Sequence, residues 1–537
     1  MTVTLGIHVG HDGGAAVCVD GRIVVACAEE RLTRFKYANG WWNSVRYCLE
    51  AAGKALSDFD LIAFSNAGPP LCDDFDGGLS TWSTGSLRTA VVDHHLSHAL
   101  GAYVFSQFDN ALVFVGDAGG NLGMTESAYL FSRSGFERVM VSDPGRQRCK
   151  GLGSTYEAFT NFLGFADQES GKTMALAAYG MPDISHPLFD VDGDGRIYSA
   201  LEATHQWGVV AFAKRAGLNW GDPFPNSKSA PAQSIANYVQ RSFETALLES
   251  LSSLLNRHPS PNVVVSGGVG LNCVANSAVR NRLQGGFFAF PACSDTGLAI
   301  GNALYGHWRL TGMLPKAPDR SMLFGRTYGG ADVQVALERR PDTVPPGAVR
   351  LGELRYHHVS DPCGEAARLI AQGKILGWWQ GRSESGPRAL GSRSIVANPR
   401  IEGVVERLNV QIKEREWFRP FGPSVLRSDA QAVLDPVNDY RYMIEAPKVS
   451  TRASAILGEC VHIDGTARVQ IVDESEGENS YRDLLIAVKR ETGTGALLNT
   501  SFNLREPLVE TPGDAIATFL RSRLDALILD EFVCWKE

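Results

Sequence analysis

The chain lacks paired cysteines, long apolar runs and an overall excess of positive charge. Its ten cysteines are scattered singly along 537 residues. No two of them form a Cys-x-x-Cys pair, which argues against a disulfide framework or a thiolate metal site and indicates reduced thiols. No segment approaches the length of a membrane span, and the N-terminus MTVTLGIHVGHDGG has no basic stretch followed by an apolar core. We therefore expect a cytoplasmic protein with no membrane partner.

The net charge of −8 argues against binding to nucleic acid, because such binding requires a basic face. One region departs from this balance: ten Lys or Arg residues stand against five Glu between Lys374 and Arg427. Its arginines lie among glycines and prolines in GRSESGPRALGSRS and REWFRPFGPS, where salt bridges along a helix are not expected. This favours a pocket for a small anion over a solvated charged face.

Three apolar strands run directly into glycines. TVTLGIHVG leads into GHDGG, ALVFVGDAGGN carries Asp117 at its end, and NVVVSGGVGLNCVANSAV passes from a strand to a helix. Asp20-Gly21 also predicts a hairpin after the first strand. Such junctions are typical of backbone amides gathered around a phosphate-bearing ligand.

Two further segments carry signals of local structure. DVDGDGRIYSALE (190–202) resembles a calcium loop, but position twelve is Leu201 where a bidentate glutamate is needed, so we predict a tight turn. RRPDTVPPGAV (339–349) holds three prolines between two periodic regions and is the best candidate for a domain boundary.

The stretch DHHLSH (93–98) opens an apolar run with helical spacing. On a helix, His94 and His98 share a face and could bind one metal ion, although a histidine alone is more often a satisfied core or surface residue. His95 lies about 100° around the helix from His94 and is left out of this pair.

Several motifs together resemble the O-carbamoyltransferases of the NodU, CmcH and TobZ type. They are GHDGGAAV, AEERLTRFK, HHLSHA, GDAGG, SGGVGLNC, GRSESGPRALGSRSI, FRPFGPSV and LNTSFNLREP, and they run in one order from about residue 6 to the C-terminus. The resemblance implies an α/β architecture in which an actin-like, ATPase-fold (TsaD-like) domain over 1–340 precedes a YrdC-like α/β domain over 350–537.

The resemblance also implies the chemistry. ATP, bound with Mg²⁺, and carbamoyl phosphate would form carbamoyl adenylate, whose carbamoyl group passes to a hydroxyl of a natural product such as an antibiotic, a sugar or a polyketide. It implies that His94, His98, Asp117 and Asp295 bind a divalent metal. Fe²⁺ is expected first, with Mn, Co or Zn also suited to a mixed nitrogen and oxygen shell.

Other residues match positions with a role in the family. His11 matches a catalytic base, although a buried structural histidine is the alternative, and Asp12 could orient it. The glycine-rich junction would bind the nucleotide, and a basic site would bind the phosphates and the carbamoyl group, with Lys413 also catalytic. The nucleotide-binding residues are Gly267, Gly268, Gly270 and Asn272, and those of the basic site are Arg388, Arg393, Lys413, Arg419, Asn499 and Ser501.

Some features stay open. Lys172 stands in ESGKTMALAAYG, which departs from the family pattern, and the insert 69–86 matches nothing in the family, although its Trp82 and aspartates would suit a sugar-like ring. A tRNA threonylcarbamoyl-type transferase is a second enzymatic interpretation. A nucleotide-dependent binding module of the actin-like fold is a third. The acceptor is not specified, and neither is the oligomeric state, although a homodimer would be unsurprising.

Overall fold

The computed structural model describes residues 1–72, 75–82, 87–142, 150–181, 186–218, 220, 227–339, 352–475 and 479–537. The chain forms two compact units. The first comprises Met1–Thr33 and Tyr37–Met322, and the second comprises Arg34–Lys36 and Leu323–Glu537. Most of the predicted boundary segment, 340–349, lies outside the described residues, as do residues 73–74 and 83–86 of the insert. Within the described ranges no helix is both long and apolar enough to cross a membrane.

The first unit is built from short strands and from helices of widely different length. Its strands are β1 (Val3–Val9), β2 (Gly14–Val19), β3 (Arg22–Ala28), β4 (Leu61–Asn66), β5 (Thr89–Val91), β6 (Asn110–Gly116), β7 (Glu126–Ser132), β8 (Gly135–Val141), β9 (Phe189–Val191), β10 (Ile197–Ser199), β11 (Asn262–Ser266) and β12 (Gly286–Ala289). Its helices are α1 (Glu29–Thr33), α2 (Trp42–Ala52), α3 (His94–Ser106), α4 (Leu152–Phe162), α5 (Ser170–Ala177), α6 (Gln206–Arg215), α7 (Ala230–Arg257), α8 (Cys273–Arg282) and α9 (Leu298–Thr311).

Two five-stranded sheets of this unit repeat one topology. The orders are β3-β2-β1-β4-β5 and β8-β7-β6-β11-β12. In each, three strands form an antiparallel meander, and two later strands add in parallel on the other side of the first. This duplicated order is that of the actin-like ATPase fold, so the expectation for the first unit is confirmed.

Glycines bring the two central helices of this unit into close contact with their neighbours. Thr4 and Gly6 of β1 face α9: the Thr4 hydroxyl donates to the Ala303 carbonyl over 2.7 Å. A Cβ atom on Gly6 would lie 2.0 Å from the Ala299 carbonyl oxygen. Gly301 of α9 similarly faces α3: a Cβ atom added to it would lie 1.9 Å from the Ser97 carbonyl oxygen. Helix α9 therefore lies directly on β1 and on α3.

The predicted turns are present. Asp20 and Gly21 adopt φ values of 48° and 79° between β2 and β3, as a tight hairpin requires. The calcium-like segment forms the β9–β10 hairpin. In its turn, the Asp192 carboxylate accepts the backbone N–H groups of Asp194 and Arg196, each over 2.9 Å. The prediction of a tight turn is confirmed.

The second unit contains one mixed sheet of eight strands in the order β13-β20-β19-β14-β15-β18-β16-β17. The strands are β13 (Leu354–His358), β14 (Leu376–Trp379), β15 (Arg393–Ala397), β16 (Gly422–Leu426), β17 (Gln470–Val472), β18 (Ala496–Ser501), β19 (Ala526–Leu529) and β20 (Phe532–Lys536). The helices are α10 (Gly330–Arg339), α11 (Pro362–Ala371), α12 (Val404–Glu406), α13 (Arg427–Val433), α14 (Ser454–Leu457), α15 (Ser480–Thr492) and α16 (Pro512–Arg521). A π-helical turn, Arg407–Ile412, follows α12.

Hydrophobic cores lie on both faces of this sheet. Trp378 and Trp379 are neighbours on β14, and because successive side chains of a strand point to opposite faces, each tryptophan enters a different core. Helices α11 and α15 pack together over the face that holds Trp378. The sheet agrees with an α/β class, while a YrdC-like architecture for this unit stays a prediction.

A short segment from near the N-terminus belongs to the second unit. The Arg34 guanidinium donates to the backbone carbonyls of Pro507 and Leu508, each over 2.7 Å, and lies 3.6 Å from the Asp514 carboxylate. These contacts explain why Arg34–Lys36 group with residues that follow them by more than 280 positions.

Candidate functional site

Helix α3 begins where the sequence predicts and places its two histidines together. The Asp93 side chain caps it by accepting the backbone N–H of Leu96. The His94 backbone N–H donates to Asn121 Oδ1 over 2.8 Å. As their four-residue spacing requires, the rings of His94 and His98 are adjacent, with centroids 4.9 Å apart.

Two carboxylates meet these histidines and complete what we term the metal group: His94, His98, Asp117 and Asp295. Asp117 Oδ2 lies 3.3 Å from His94 Nε2 and 3.1 Å from His98 Nε2. Asp295 Oδ1 lies 3.6 Å and 3.2 Å from the same two nitrogens. Four ligand atoms each about 2.1 Å from one ion are separated by roughly 3.4 Å. The donor set and its spacing therefore fit a single divalent cation.

The charges of the metal group are strongly coupled. Burial alone would lower the pKa of His98, but hydrogen bonds with Asp117 and Asp295 raise it to about 9. Burial would likewise raise the pKa of each aspartate, but contacts with the histidines hold both well below their usual range. Asp295 is buried and the Asp117 side chain is only 14% exposed, so two carboxylates with lowered pKa values here favour a bound cation, because burying uncompensated negative charge is costly.

His11 and Asp12 lie in the loop after β1. His11 is exposed, and its Nε2 lies 3.1 Å from Asp295 Oδ2. That hydrogen bond raises the pKa of His11 to about 9, although burial opposes the shift. Asp12 is buried with φ at 55°, and burial followed by repulsion from Asp295 raises its pKa to about 7. The structure thus brings both predicted residues to the edge of the metal group.

Sequence reasoning missed a histidine at the same carboxylate. His8, the penultimate residue of β1, is fully buried, and its Nε2 lies 3.9 Å from Asp295 Oδ2. Its Nδ1 lies 3.1 Å from the Ser65 hydroxyl on the adjacent strand β4. The available signal was a polar residue inside the apolar strand TVTLGIHV, five positions before GGAAV begins.

The glycine-rich junction after β11 packs against the metal group. A Cβ atom on Gly267 would lie 2.2 Å from the Gly116 carbonyl, and one on Gly268 would lie 3.2 Å from Asp117 Oδ1. Gly270 similarly faces the Cys293 side chain at 3.2 Å. These glycines permit close backbone approach. Their predicted contact with a nucleotide stays a prediction.

The Asn272 side chain is committed to protein contacts. It caps α8 by accepting the Ala275 N–H, and it exchanges hydrogen bonds with the Gln240 amide over 3.0 and 3.1 Å. A nucleotide-binding role would therefore have to replace these bonds.

In the second unit, cationic side chains gather at what we term the basic cluster: Lys413, Arg415, Arg419 and Arg468. Lys413 is buried, and its ammonium donates to the Ser501 carbonyl and to Asn503 Oδ1. Burial, then repulsion from Arg415 and Arg419, lowers the pKa of Lys413 well below its usual range. Burial, then repulsion from Arg419 and Arg468, does the same to the pKa of Arg415. Such a concentration of positive charge is suited to an anion.

Two members of the basic cluster were missed as candidate ligands. Arg415 stands in the basic run of the sequence, and its guanidinium lies 4.2 Å from the Phe421 ring centroid. Arg468 lies outside that run and joins the cluster because β17, two residues later, pairs with β16. Ser501 was predicted, and its hydroxyl lies 3.3 Å from Lys413 Nζ.

Arg393 and Asn499, also predicted ligands, are fully buried. The Arg393 guanidinium donates to four backbone carbonyls and stacks at 4.0 Å on the Trp379 ring. The Asn499 amide donates to the Ala389 carbonyl and the Ser424 hydroxyl. Both side chains therefore hydrogen-bond to other parts of the second unit, and phosphate binding by either stays a prediction. Arg388 is half-buried.

The two open features of the first unit have protein partners. Lys172 lies 2.6 Å from the Glu169 carboxylate and over the Phe165 ring. Trp82 is 41% exposed and contacts Trp42, which stacks in turn on Trp41. Among the described residues of the insert, the exposed Trp82 ring thus lies against Trp42, and its role in acceptor binding stays a prediction.

Family models match both halves of the chain in order. A model described as "Carbamoyltransferase N-terminus" matches residues 84–304, and one described as "Carbamoyltransferase C-terminus" matches residues 367–536.

Curated proteins show the same likeness over nearly the whole length. Nodulation protein NolNO of Sinorhizobium fredii is 32% identical over 98% of this chain and 79% of its own. The 3'-hydroxymethylcephem-O-carbamoyltransferase of Amycolatopsis lactamdurans is 28% identical over 92% of this chain and 91% of its own.

Among solved structures, full-length HypF in its phosphate- and nucleotide-bound form is 12% identical, with a TM-score of 0.37 over 59% of this chain and 56% of that one. A likeness this weak supports no inference about function.

Proposed function

The chain belongs to the carbamoyltransferase family, and from that premise we propose that it is an ATP-dependent O-carbamoyltransferase. In the first half-reaction, water hydrolyses carbamoyl phosphate to carbamate and phosphate, and the carbamate then reacts with ATP to give carbamoyl adenylate and pyrophosphate. In the second, the hydroxyl of a small molecule attacks the carbamoyl carbon and AMP leaves. The match of both family models, in order, to the two halves of one chain carries this proposal.

The basic cluster supports the first half-reaction. The carbamate oxygen attacks the α-phosphorus of ATP as the bond to pyrophosphate breaks, so two anions must approach and a third must leave. Lys413, Arg415 and Arg419 would neutralise these anions, and guanidiniums held by the fold do so without reorganising. Mg²⁺ would accompany the ATP.

The metal group supports the second half-reaction. A divalent ion there, Fe²⁺ in our proposal, would polarise the carbamoyl oxygen as a Lewis acid and compensate the Asp295 charge that raises the pKa of His11. His11 Nε2 would accept the proton of the acceptor hydroxyl as that oxygen attacks. Asp12, buried beside it, would orient the imidazole or the acceptor.

The acceptor is proposed only as a class. One relative carries a cephem O-carbamoyltransferase name and another a nodulation protein name. A hydroxyl on a bacterial natural product is therefore the proposed target, and the exposed Trp42 and Trp82 rings offer a surface on which a sugar-like ring could stack.

Pyrophosphate release tests the proposal. The purified chain, supplied with ferrous iron, Mg²⁺ and ATP but no acceptor, is expected to release pyrophosphate only when carbamoyl phosphate is added. Arg419→Ala serves as the negative control: it removes a part-exposed member of the basic cluster, so it should lose this pyrophosphate release. Conversion of ATP to ADP regardless of carbamoyl phosphate would contradict the transferase and favour a nucleotide-dependent binding module.

A further inference from the structure

His8 is placed opposite Asp295 by the packing of α9 on β1. Thr4, Gly6 and His8 alternate along one face of the strand. Thr4 contacts Ala303, Gly6 faces Ala299, and His8 faces Asp295. For every two residues along β1, the contacted residue on the other side lies four positions earlier in the sequence. The position of His8 opposite Asp295 therefore continues the packing of α9 on β1.

A chain of hydrogen bonds favours a hydrogen on His8 Nε2. The Asn302 side chain lies 2.8 Å from the Ile7 carbonyl oxygen, which can only accept, so its amide nitrogen faces that oxygen. The same nitrogen donates to the Ser65 hydroxyl over 2.8 Å. Since Ser65 Oγ already accepts there, its own hydrogen is available to His8 Nδ1.

This arrangement leaves His8 Nε2 as a donor. A neutral imidazole that accepts at Nδ1 carries its hydrogen on Nε2, and a protonated imidazole carries one on each nitrogen. A donor at Nε2 therefore results both when Ser65 donates to a neutral imidazole and when the imidazole is protonated. The Nε2 atom is fully buried and finds no hydrogen-bond acceptor among the described residues.

The Asp295 carboxylate is shared between two groups of partners. Its Oδ1 faces His94 and His98, whereas its Oδ2 accepts from His11 at 3.1 Å and lies 3.9 Å from His8. The distance to His8 exceeds the upper limit of an N–H···O hydrogen bond by roughly 0.7 Å. His8 Nε2 is thus a second donor that faces Asp295 Oδ2, the oxygen to which His11 is hydrogen-bonded.

We propose that His8 is a positioning residue that holds Asp295 Oδ2, so that Oδ1 stays directed at His94 and His98 when His11 turns to the acceptor. The inference rests on the proposed metal binding and on the proposed role of His11. Partners of this kind, which hydrogen-bond to a ligating carboxylate, commonly change metal affinity by 10- to 100-fold when removed.

The test measures Co²⁺ binding to the full chain by competition with a chelator. The His8→Phe variant keeps a buried ring but loses the donor, and we expect the dissociation constant for Co²⁺ to rise by about 10- to 100-fold. The His8→Gln variant restores an N–H near the Nε2 position and is expected to stay within about threefold of wild type. His95→Phe is the matched control: His95 is equally buried and its Nδ1 lies 2.6 Å from a serine hydroxyl, but it forms no ion pair with Asp117 or Asp295, both of which are described.

Each outcome is decisive. Unchanged Co²⁺ affinity in His8→Phe, with normal binding by wild type, overturns the role of His8 alone. Absence of Co²⁺ binding in wild type removes the proposed metal site and the role of His8 with it. An equal loss of affinity in His95→Phe assigns the effect to disturbed packing and also overturns the proposal.

If His8→Phe does not melt cooperatively, and so does not fold, a milder variant tests the same proposal. Ser65→Ala keeps the imidazole but removes the hydroxyl that directs its hydrogen to Nε2. We expect weaker Co²⁺ binding by a few-fold, and an unchanged affinity would overturn the argument.

Discussion

Glu126 is a fully buried carboxyl at the start of β7. Its oxygens accept the backbone N–H of Leu152 over 2.7 Å and the Thr125 hydroxyl over 2.6 Å, so it secures the beginning of α4. Burial raises its pKa from 4.5 to about 7. The folded chain therefore retains this proton over a pH range in which the unfolded chain has lost it.

We expect Glu126 to make folding stability depend on pH. Because its folded-state pKa is raised, its contribution is fully present below about pH 4.5 and is lost as the pH rises through about 7. The free energy of unfolding should fall by at most roughly 3 kcal/mol across that range. Glu126→Gln has no proton to lose, so its melting midpoint should vary less between pH 5 and 7. An unaltered pH profile in this variant would contradict the assignment.

Arg393 is also fully buried, but it carries a positive charge. That charge is stabilised by backbone carbonyl oxygens and by the face of the Trp379 ring. Lysine cannot reproduce this planar set of donors. Arg393→Lys should therefore lower the free energy of unfolding by on the order of 3 kcal/mol without any substrate present. Chemical denaturation checks this, with half-buried Arg388→Lys as the comparison. A variant of unchanged stability but raised KM for ATP would instead support phosphate binding by Arg393.

At the scale of elements, the metal group depends on the contact between α3 and α9. Gly301→Ala would place a Cβ atom 1.9 Å from the Ser97 carbonyl oxygen. We expect this crowding to lower stability by about 1–3 kcal/mol or more and to weaken metal binding, because α3 carries two ligands and Asp295 precedes α9. Thermal melting and Co²⁺ titration measure the two effects.

Gly171→Ala is the matched control for this substitution. Gly171 also lies in a helix, α5, but its Cβ position has no neighbour within 4 Å. Alanine there should preserve or slightly raise stability, because it is the better helix former. Similar losses in both variants would show that crowding at Gly301 is not the cause.

Local signals account for the elements that the sequence predicted. The Asp93 cap, the Asp20-Gly21 hairpin and the turn before β10 each depend on a few neighbouring residues, and all three are present. What was missed depends on pairing between distant strands. His8 reaches the metal group only because β1 pairs with β4 and packs against α9. Arg468 joins the basic cluster only because β17 pairs with β16. An apolar strand by itself does not reveal which helix will cover it.

At the scale of the whole molecule, the metal group and the basic cluster lie in different units. We therefore expect the two half-reactions to be separable. His94→Ala should retain pyrophosphate release dependent on carbamoyl phosphate but lose transfer from supplied carbamoyl adenylate, and Arg419→Ala should do the reverse. Each activity is measured by product formation under single turnover. Loss of both activities in either correctly folded variant would contradict two separate sites.

The segment Arg34–Lys36 has a consequence for how the chain is made. Arg34 donates to Leu508, which follows it by 474 positions. A ribosome that adds about 5–20 residues per second needs roughly half a minute to a minute and a half to reach that partner. Arg34 therefore spends most of synthesis without its final contacts, although every residue of the first unit has been made by Met322. A fragment expressed from residue 323 would therefore lack Arg34–Lys36, the only N-terminal segment assigned to the second unit among the described residues.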